Sequence, residues 1–167
     1  LNRKKSAGAT PFKIHDLTSN GDFPGEPFVA LVPGTAAPLV RLALPQALKG
    51  QARERVAMRQ LRDAYGGSDD GLDLRPARLG RAGDGWQQVL VTDADERRGW
   101  ARAVAPAGAL CQAVLPDYLA LPAAPNLWVI EARGAQIRAR LGPEDGFSGE
   151  ADLALALLKE AALTEPP

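Results

Sequence analysis

The run Phe28-Val29-Ala30-Leu31-Val32, closed at once by Pro33-Gly34, constrains the fold more than any other stretch of the chain. It is too short for a helix face and shows no alternation, so it reads as a strand buried on both faces, and such strands belong to the interior of α/β sheets. Leu39 to Leu44 reads as a second strand paired to it, with Pro33 to Ala37 as the turn. Pro45 then suits the first turn of a helix, where a missing N–H costs nothing. From there to Tyr65, the residues Leu48, Ala52, Val56, Leu61 and Tyr65 recur at spacings of four or five. This predicts an amphipathic helix whose inner side carries those residues, with Arg53, Arg55, Arg59, Arg62 and Asp63 on its other faces. Gly66-Gly67 supplies a left-handed helix stop.

Two further strands are expected over 72–79 and 86–92, joined by the glycine-rich loop 80–85. Asp93, with Glu96 three residues on, has the spacing of a capping box, and the helix it opens runs to about residue 105 with Trp100 and Val104 inward. Residues 109–115 read as a short strand, and Pro116-Asp117-Tyr118-Leu119 as a turn or a single helical turn. After Pro122 and Pro125 the pattern restarts: 127–131 and 135–141 form a hairpin around Ala132-Arg133-Gly134. Gly146-Phe147-Ser148-Gly149 leads into a last helix, 150–163, with Leu153, Leu157 and Leu158 inward. Residues 1–27 fit this scheme least. They hold a basic, aperiodic start and a short strand, 12–17, with Phe12, Ile14 and Leu17 facing a core. The expected division is therefore an ill-defined segment 1–27, an α/β lobe 28–122 and the start of a second lobe 123–167.

The search for chemistry returns little. Twenty basic residues balance twenty acidic ones, which speaks against nucleic acid as a ligand, since that affinity comes from neutralised phosphates. One cysteine, Cys111, excludes an internal disulfide, and one histidine with no cysteine cluster excludes a structural zinc site. The sequence has no P-loop, and Gly80, Gly83 and Gly85 lack the dinucleotide spacing. The only histidine, His15, reads as a surface residue, and Cys111 as a small buried hydrophobe. Asp93, Asp95 and Glu96 are explained by a helix N-terminus. A metal-dependent site would have to be built from Asp73, Asp93, Asp117 and Glu131, which fall near strand ends. The arginines are more suggestive: fifteen of the twenty basic residues are arginine, and arginine is favoured at protein interfaces for its planar, preorganised fork. Arg55, Arg59, Arg62 and Tyr65 are accordingly the candidate protein-binding residues.

Three segments, taken in order, carry a family likeness. Phe28 to Gly34 with Leu39 to Gly50, then Ala109-Leu-Cys-Gln-Ala-Val-Leu-Pro-Asp-Tyr-Leu-Ala-Leu-Pro122, then Trp128 to Glu131 with Arg138 to Gly142 and Gly146 to Leu153, resemble the cytoplasmic domain of the type II secretion system protein L family. The resemblance implies an actin-like ATPase (RNase H-like) lobe with a mixed sheet, followed by the start of a second, similar lobe. It also implies a non-catalytic adaptor without a cofactor, at the cytoplasmic face of the bacterial inner membrane. The implied partners are the N-terminal domain of the secretion ATPase (protein E), the protein M component and a second copy of the chain, with the membrane anchor outside these residues. Nucleotide-binding relatives of that fold hold phosphate on a glycine hairpin carrying an Asp. Here the hairpin reads Glu131-Ala-Arg-Gly134, where Arg133 replaces a small residue, so no ATP binding is expected. The alternative, from a different class, is a small actin-like or RNase-H-like enzyme that uses a divalent metal on a nucleotide or phosphodiester.

Overall fold

A computed structural model describes residues 12–65, 77–78, 86–123, 126–143 and 145–164. In chain order the elements are β1 (Lys13–Asp16), β2 (Phe28–Val32), β3 (Leu39–Arg41), α1 (Gly50–Tyr65), β4 (Ala77–Arg78), β5 (Gln88–Leu90), α2 (Ala94–Val104), β6 (Cys111–Pro116), β7 (Val129–Arg133), β8 (Gln136–Gly142), β9 (Asp145–Glu150) and α3 (Ala151–Thr164). Short 3-10 turns at Gly34–Ala36, Ala105–Leu110 and Asp117–Ala120 link them. Among the described residues the strands form three sheets of three: parallel β1-β2-β6, antiparallel β3-β5-β4 and antiparallel β7-β8-β9.

β2 is the central strand of the parallel sheet, and Phe28, Ala30, Leu31 and Val32 are buried, as a continuous apolar run requires. Its partners differ from the expected hairpin. Leu39–Arg41 pairs with β5 in another sheet, and β2 instead takes β1 on one edge and β6 on the other. Pro33 opens a 3-10 turn over Gly34–Ala36, and the chain beyond it joins another sheet instead of folding back on β2. β1 forms where a strand was expected, but inverted: Phe12 and Ile14 are exposed while His15 is buried at 9% exposure. The imidazole packs against two aromatic rings, tilted to Phe23 at a centroid distance of 4.8 Å and edge-on to Phe28 at 5.8 Å. The expected surface histidine is therefore a core residue.

α1 begins at Gly50, five residues later than its proline suggested, and packs on the β3-β5-β4 sheet through Ala57 and Leu61 against Leu42, Leu44, Val89 and Val91. Ala52 and Tyr65, expected inside, are exposed, and Arg53, expected outside, is fully buried. The Gly66-Gly67 stop and the loop 80–85 lie outside the described residues. Ala77–Arg78 pairs with β5 as the hairpin reading required. α2 starts as expected: the Asp93 carboxylate accepts from the amides of Asp95 (2.6 Å) and Glu96 (3.3 Å). Cys111 is half-buried rather than buried.

The second core joins Ile137 and Ala139 of β8 to Ala154 and Leu158 of α3, with Trp128 and Phe147 at its margin. Gly146 to Gly149, expected as a lead-in to the helix, is strand β9. Leu158 points inward as expected, but Leu153 (61% exposed) and Leu157 (44%) do not. α3 has apolar side chains around most of its circumference, so residue spacing cannot set its rotation. The small residues Ala151 and Ala154 allow the closest approach to the sheet and decide it.

Three distant segments meet in a knot between the parallel sheet and the β7-β8-β9 sheet. The Asp117 carboxylate accepts from the Gly34 amide at 3.1 Å and the Ser148 hydroxyl at 2.7 Å. Tyr118 is fully buried, and its hydroxyl donates to the Ala37 carbonyl at 2.8 Å. Arg140 ties the same turn to β8, donating to the Leu119 carbonyl at 2.9 Å and to those of Gly142 and Pro143. Burial pushes the Tyr118 phenol well above its ordinary pKa, and the Asp117 carboxylate adds to this. A phenol held neutral stabilises the fold fully below the unfolded value near 10, and that contribution drains away as pH rises above it. Tyr118→Phe is therefore expected to cost about 1 kcal/mol at pH 7 through the lost hydrogen bond. The same variant should unfold less readily in alkali, and urea midpoints at pH 7 and pH 11 test both halves of this prediction.

Candidate functional site

α1 presents two opposite faces. Arg53, Ala57 and Leu61 lie on the buried side. Arg55, Arg59 and Arg62, at i, i+4 and i+7, share the solvent side. Tyr65 (48% exposed) lies at the margin of this side, in line with Met58 but two turns beyond it. A shallow groove of about 680 Å3 runs along this face. Among the described residues Arg55, Met58, Arg59 and Arg62 line it, with Glu54 and Asp63 towards its edges. Arg59 Nε is 3.9 Å from Asp63 Oδ2, an exposed pair with little hold on either side chain. Of the four residues expected from sequence, the three arginines line this groove, and Tyr65 is exposed but is not among its lining residues.

That surface is held in place from beneath by Arg53. Its guanidinium donates to the Trp86 carbonyl through Nε (2.8 Å) and a terminal nitrogen, and to the carbonyls of Pro45 (2.8 Å) and Leu48 (3.1 Å). The guanidinium carbon sits 5.3 Å from the centre of the Trp86 ring. A cation inside the core satisfies backbone oxygens that apolar side chains cannot, and so fixes the N-terminal turn of α1 to the strand β5 side of the sheet.

A second concavity, of about 260 Å3, opens where β1, the Asp117 turn and the β7-β8 hairpin converge. Asp16, Thr18 and Asp117 stand on its walls with Arg133, Gln136 and Arg138. Its charges are already matched. Thr18 donates to Asp16 Oδ1 through both its amide (2.9 Å) and its hydroxyl (2.7 Å). Glu131 takes Arg133 on one oxygen (3.1 Å) and Arg138 on the other. Burial alone would raise the Asp16 carboxyl. The Thr18 bonds, with Arg133 and Arg138 nearby, outweigh that and leave its pKa lowered. The Arg138 hydrogen bond holds Glu131 below the usual carboxylate value, against a small burial penalty and with Arg133 assisting. A depressed carboxyl contributes its full stability above the unfolded pKa and loses it as pH falls through the folded one. Glu131→Gln is therefore expected to flatten the loss of stability between about pH 5 and pH 3, the range where a glutamate titrates. Urea midpoints across that range read the difference.

Of the four carboxylates proposed for a metal site, the three among the described residues do not come together. Asp73 lies outside the described residues, Asp93 caps α2, Asp117 binds Gly34 and Ser148, and Glu131 is paired with two arginines. Asp117 lines the small concavity, while Glu131 is not among its lining residues and reaches it only through its partners Arg133 and Arg138. Among the described residues no group of three His, Cys, Asp or Glu side chains comes together. Cys111 Sγ lies 3.5 Å from the Ala113 carbonyl, with no base beside it among the contacts it makes.

No protein-family model matches the sequence, and no curated protein matches it. The arrangement of strands and helices is what matches. The chain shares its fold with the cytoplasmic domain of EpsL. That domain belongs to an inner membrane component of the type II secretion system of Vibrio cholerae; the match has a TM-score of 0.60 at 19% sequence identity and covers 84% of this chain. The chain spans 58% of the length of the EpsL domain. Among the described residues no helix is long and apolar enough to cross a membrane.

The contacts within this chain give the Pro116–Pro122 motif a physical explanation. Asp117 and Tyr118 are the residues that close the knot, and Gly34 and Gly146 are the small residues that leave room for the Tyr118 ring. The segments that resembled the protein L family are thus the ones that meet in space. The polar concavity escaped the sequence reading because its walls come from four separate segments. No local spacing announces such a site.

Proposed function

We propose that this chain is a non-catalytic adaptor of a bacterial type II secretion inner-membrane platform, acting by equilibrium binding at the cytoplasmic face. The observation that supports it is the fold shared with the EpsL cytoplasmic domain over 84% of the chain. The reading extends to an actin-like first lobe over 28–122 and the start of a second over 123–167. It is supported by two separate cores, one around α1 and β5, the other between β8 and α3. Its partners are the N-terminal domain of the secretion ATPase, the protein M component and a second copy of the chain. Arg55, Arg59, Arg62 and Tyr65 form the protein-binding face, since they are the accessible residues whose chemistry suits an interface.

Calorimetric titration with the N-terminal domain of the secretion ATPase from the same organism tests the proposal, with Mg-ATP as a parallel ligand. Saturable heat with the ATPase domain and none with Mg-ATP is the expected result. Silence with the domain together with a clear ATP isotherm overturns it.

A further inference from the structure

The α1 face carries enough detail to specify what should lie against it. Arg55, Arg59 and Arg62 form a row of like charges at helical contact spacing, and such pairs repel one another along a free helix. Only Asp63 relieves the row through a described pair, and that pair is long and exposed. Beside the row lie two apolar surfaces, half-buried Met58 and exposed Tyr65, and the groove itself is open. Toward the edges the sign reverses at Glu54 and Asp63.

We infer that this groove receives an acidic amphipathic helix of the partner protein, its carboxylates at i, i+4 and i+7 opposing the three arginines and apolar side chains, two turns apart, seated over Met58 and over Tyr65. The inference rests on the adaptor reading for the partner's identity but not for its chemistry. A helix suits the site because the arginine row itself follows a helical repeat, which a parallel or antiparallel helix matches over two turns. Arginine forks pair carboxylates in two-pronged fashion, and closing the groove over them removes the water that screens each pair. A lipid surface fits less well. Met58 is half-buried, so the face offers only the exposed ring of Tyr65 for insertion among lipid chains.

The test uses the full chain and its triple variant Arg55→Glu, Arg59→Glu, Arg62→Glu, all exposed positions, with circular dichroism as the check that α1 is intact. Three probes are titrated: the secretion ATPase N-terminal domain, a designed helical peptide of about 18 residues, five turns, with Glu at i, i+4 and i+7 beside Leu, and vesicles of equal parts anionic and zwitterionic phospholipid. The expected result is binding of domain and peptide to the natural chain, each weakened by about 100-fold or more in the variant, with affinity falling steeply as salt rises. A peptide carrying Lys in place of Glu should bind the variant instead. If the domain binds both chains equally, the inference is overturned and the adaptor reading stands. If the domain is silent while the peptide binds only the natural chain, the adaptor reading falls and the inference stands. Peptide binding that the variant does not weaken, or retention on anionic vesicles alone, overturns the inference.

Discussion

Gly34→Ala unfolds at markedly lower urea than the natural chain, with an expected cost of about 3 kcal/mol, the sum of overpacking and a weakened buried hydrogen bond. A Cβ at this position would stand 2.4 Å from Tyr118 Cδ1, 2.6 Å from Asp117 Oδ1 and 2.6 Å from Ser148 Oγ. None of the three can retreat freely. The Tyr118 ring is fully buried and held at its hydroxyl, and Asp117 is bound to both Gly34 and Ser148. The backbone at Gly34 has ordinary negative φ, so crowding alone produces the effect. In a chain of this size the melting temperature should fall by roughly 6–12 °C. A midpoint within a degree of the natural protein would show that the knot has slack, and the account of the Pro116–Pro122 motif would fail with it.

Arg53→Met removes a comparable amount, about 3 kcal/mol, although it replaces a buried cation with a side chain of similar length that suits a core. The loss arises on the backbone. The Trp86 and Leu48 carbonyls lose the donors that reach them in the interior, while the methionine thioether donates nothing. Arg53→Lys should recover less than half of the loss, because an ammonium is a compact charge and cannot span carbonyls contributed by residues 45, 48 and 86. Urea denaturation of the three proteins under one buffer checks the order. Lysine performing as well as arginine would mean that charge, not fork geometry, holds α1 in place.

These two positions show where the sequence is legible and where it is not. Phe28 to Val32, the Asp93 cap, the single helical turn at Asp117 and the β7-β8 hairpin were readable because each is decided by residues within a few positions of one another. Arg53 was misplaced because hydropathy puts a guanidinium outside, and only the three-dimensional position of distant carbonyls brings it in. His15 followed the same logic, since Phe23 and Phe28 close over it. β9 was missed because Gly146 and Gly149 are poor strand residues. Gly146 is nevertheless required there, as a Cβ would lie 2.6 Å from the Ala139 carbonyl and 2.9 Å from the Tyr118 ring. The parallel pairing of β2 with β6 could not be read at all, because nothing in a buried apolar strand names its partner. The arginine face was readable because a helix converts spacing directly into direction. The polar concavity beside Asp16 was not, for it exists only after four segments have come together.

The knot also bears on the order in which the chain can be completed during synthesis. Gly34 emerges from the ribosome 83 residues before Asp117, for which its amide waits, and Asp117 in turn waits for Ser148, 31 residues further on. Until then the buried side chain of Tyr118 has no finished pocket, and β2 lacks one of its two flanking strands until Pro116 is made. Partial chains ending before β9 therefore keep these surfaces open to chaperones and proteases until Ser148 is made, whereas the last turns of α3 add little to that protection.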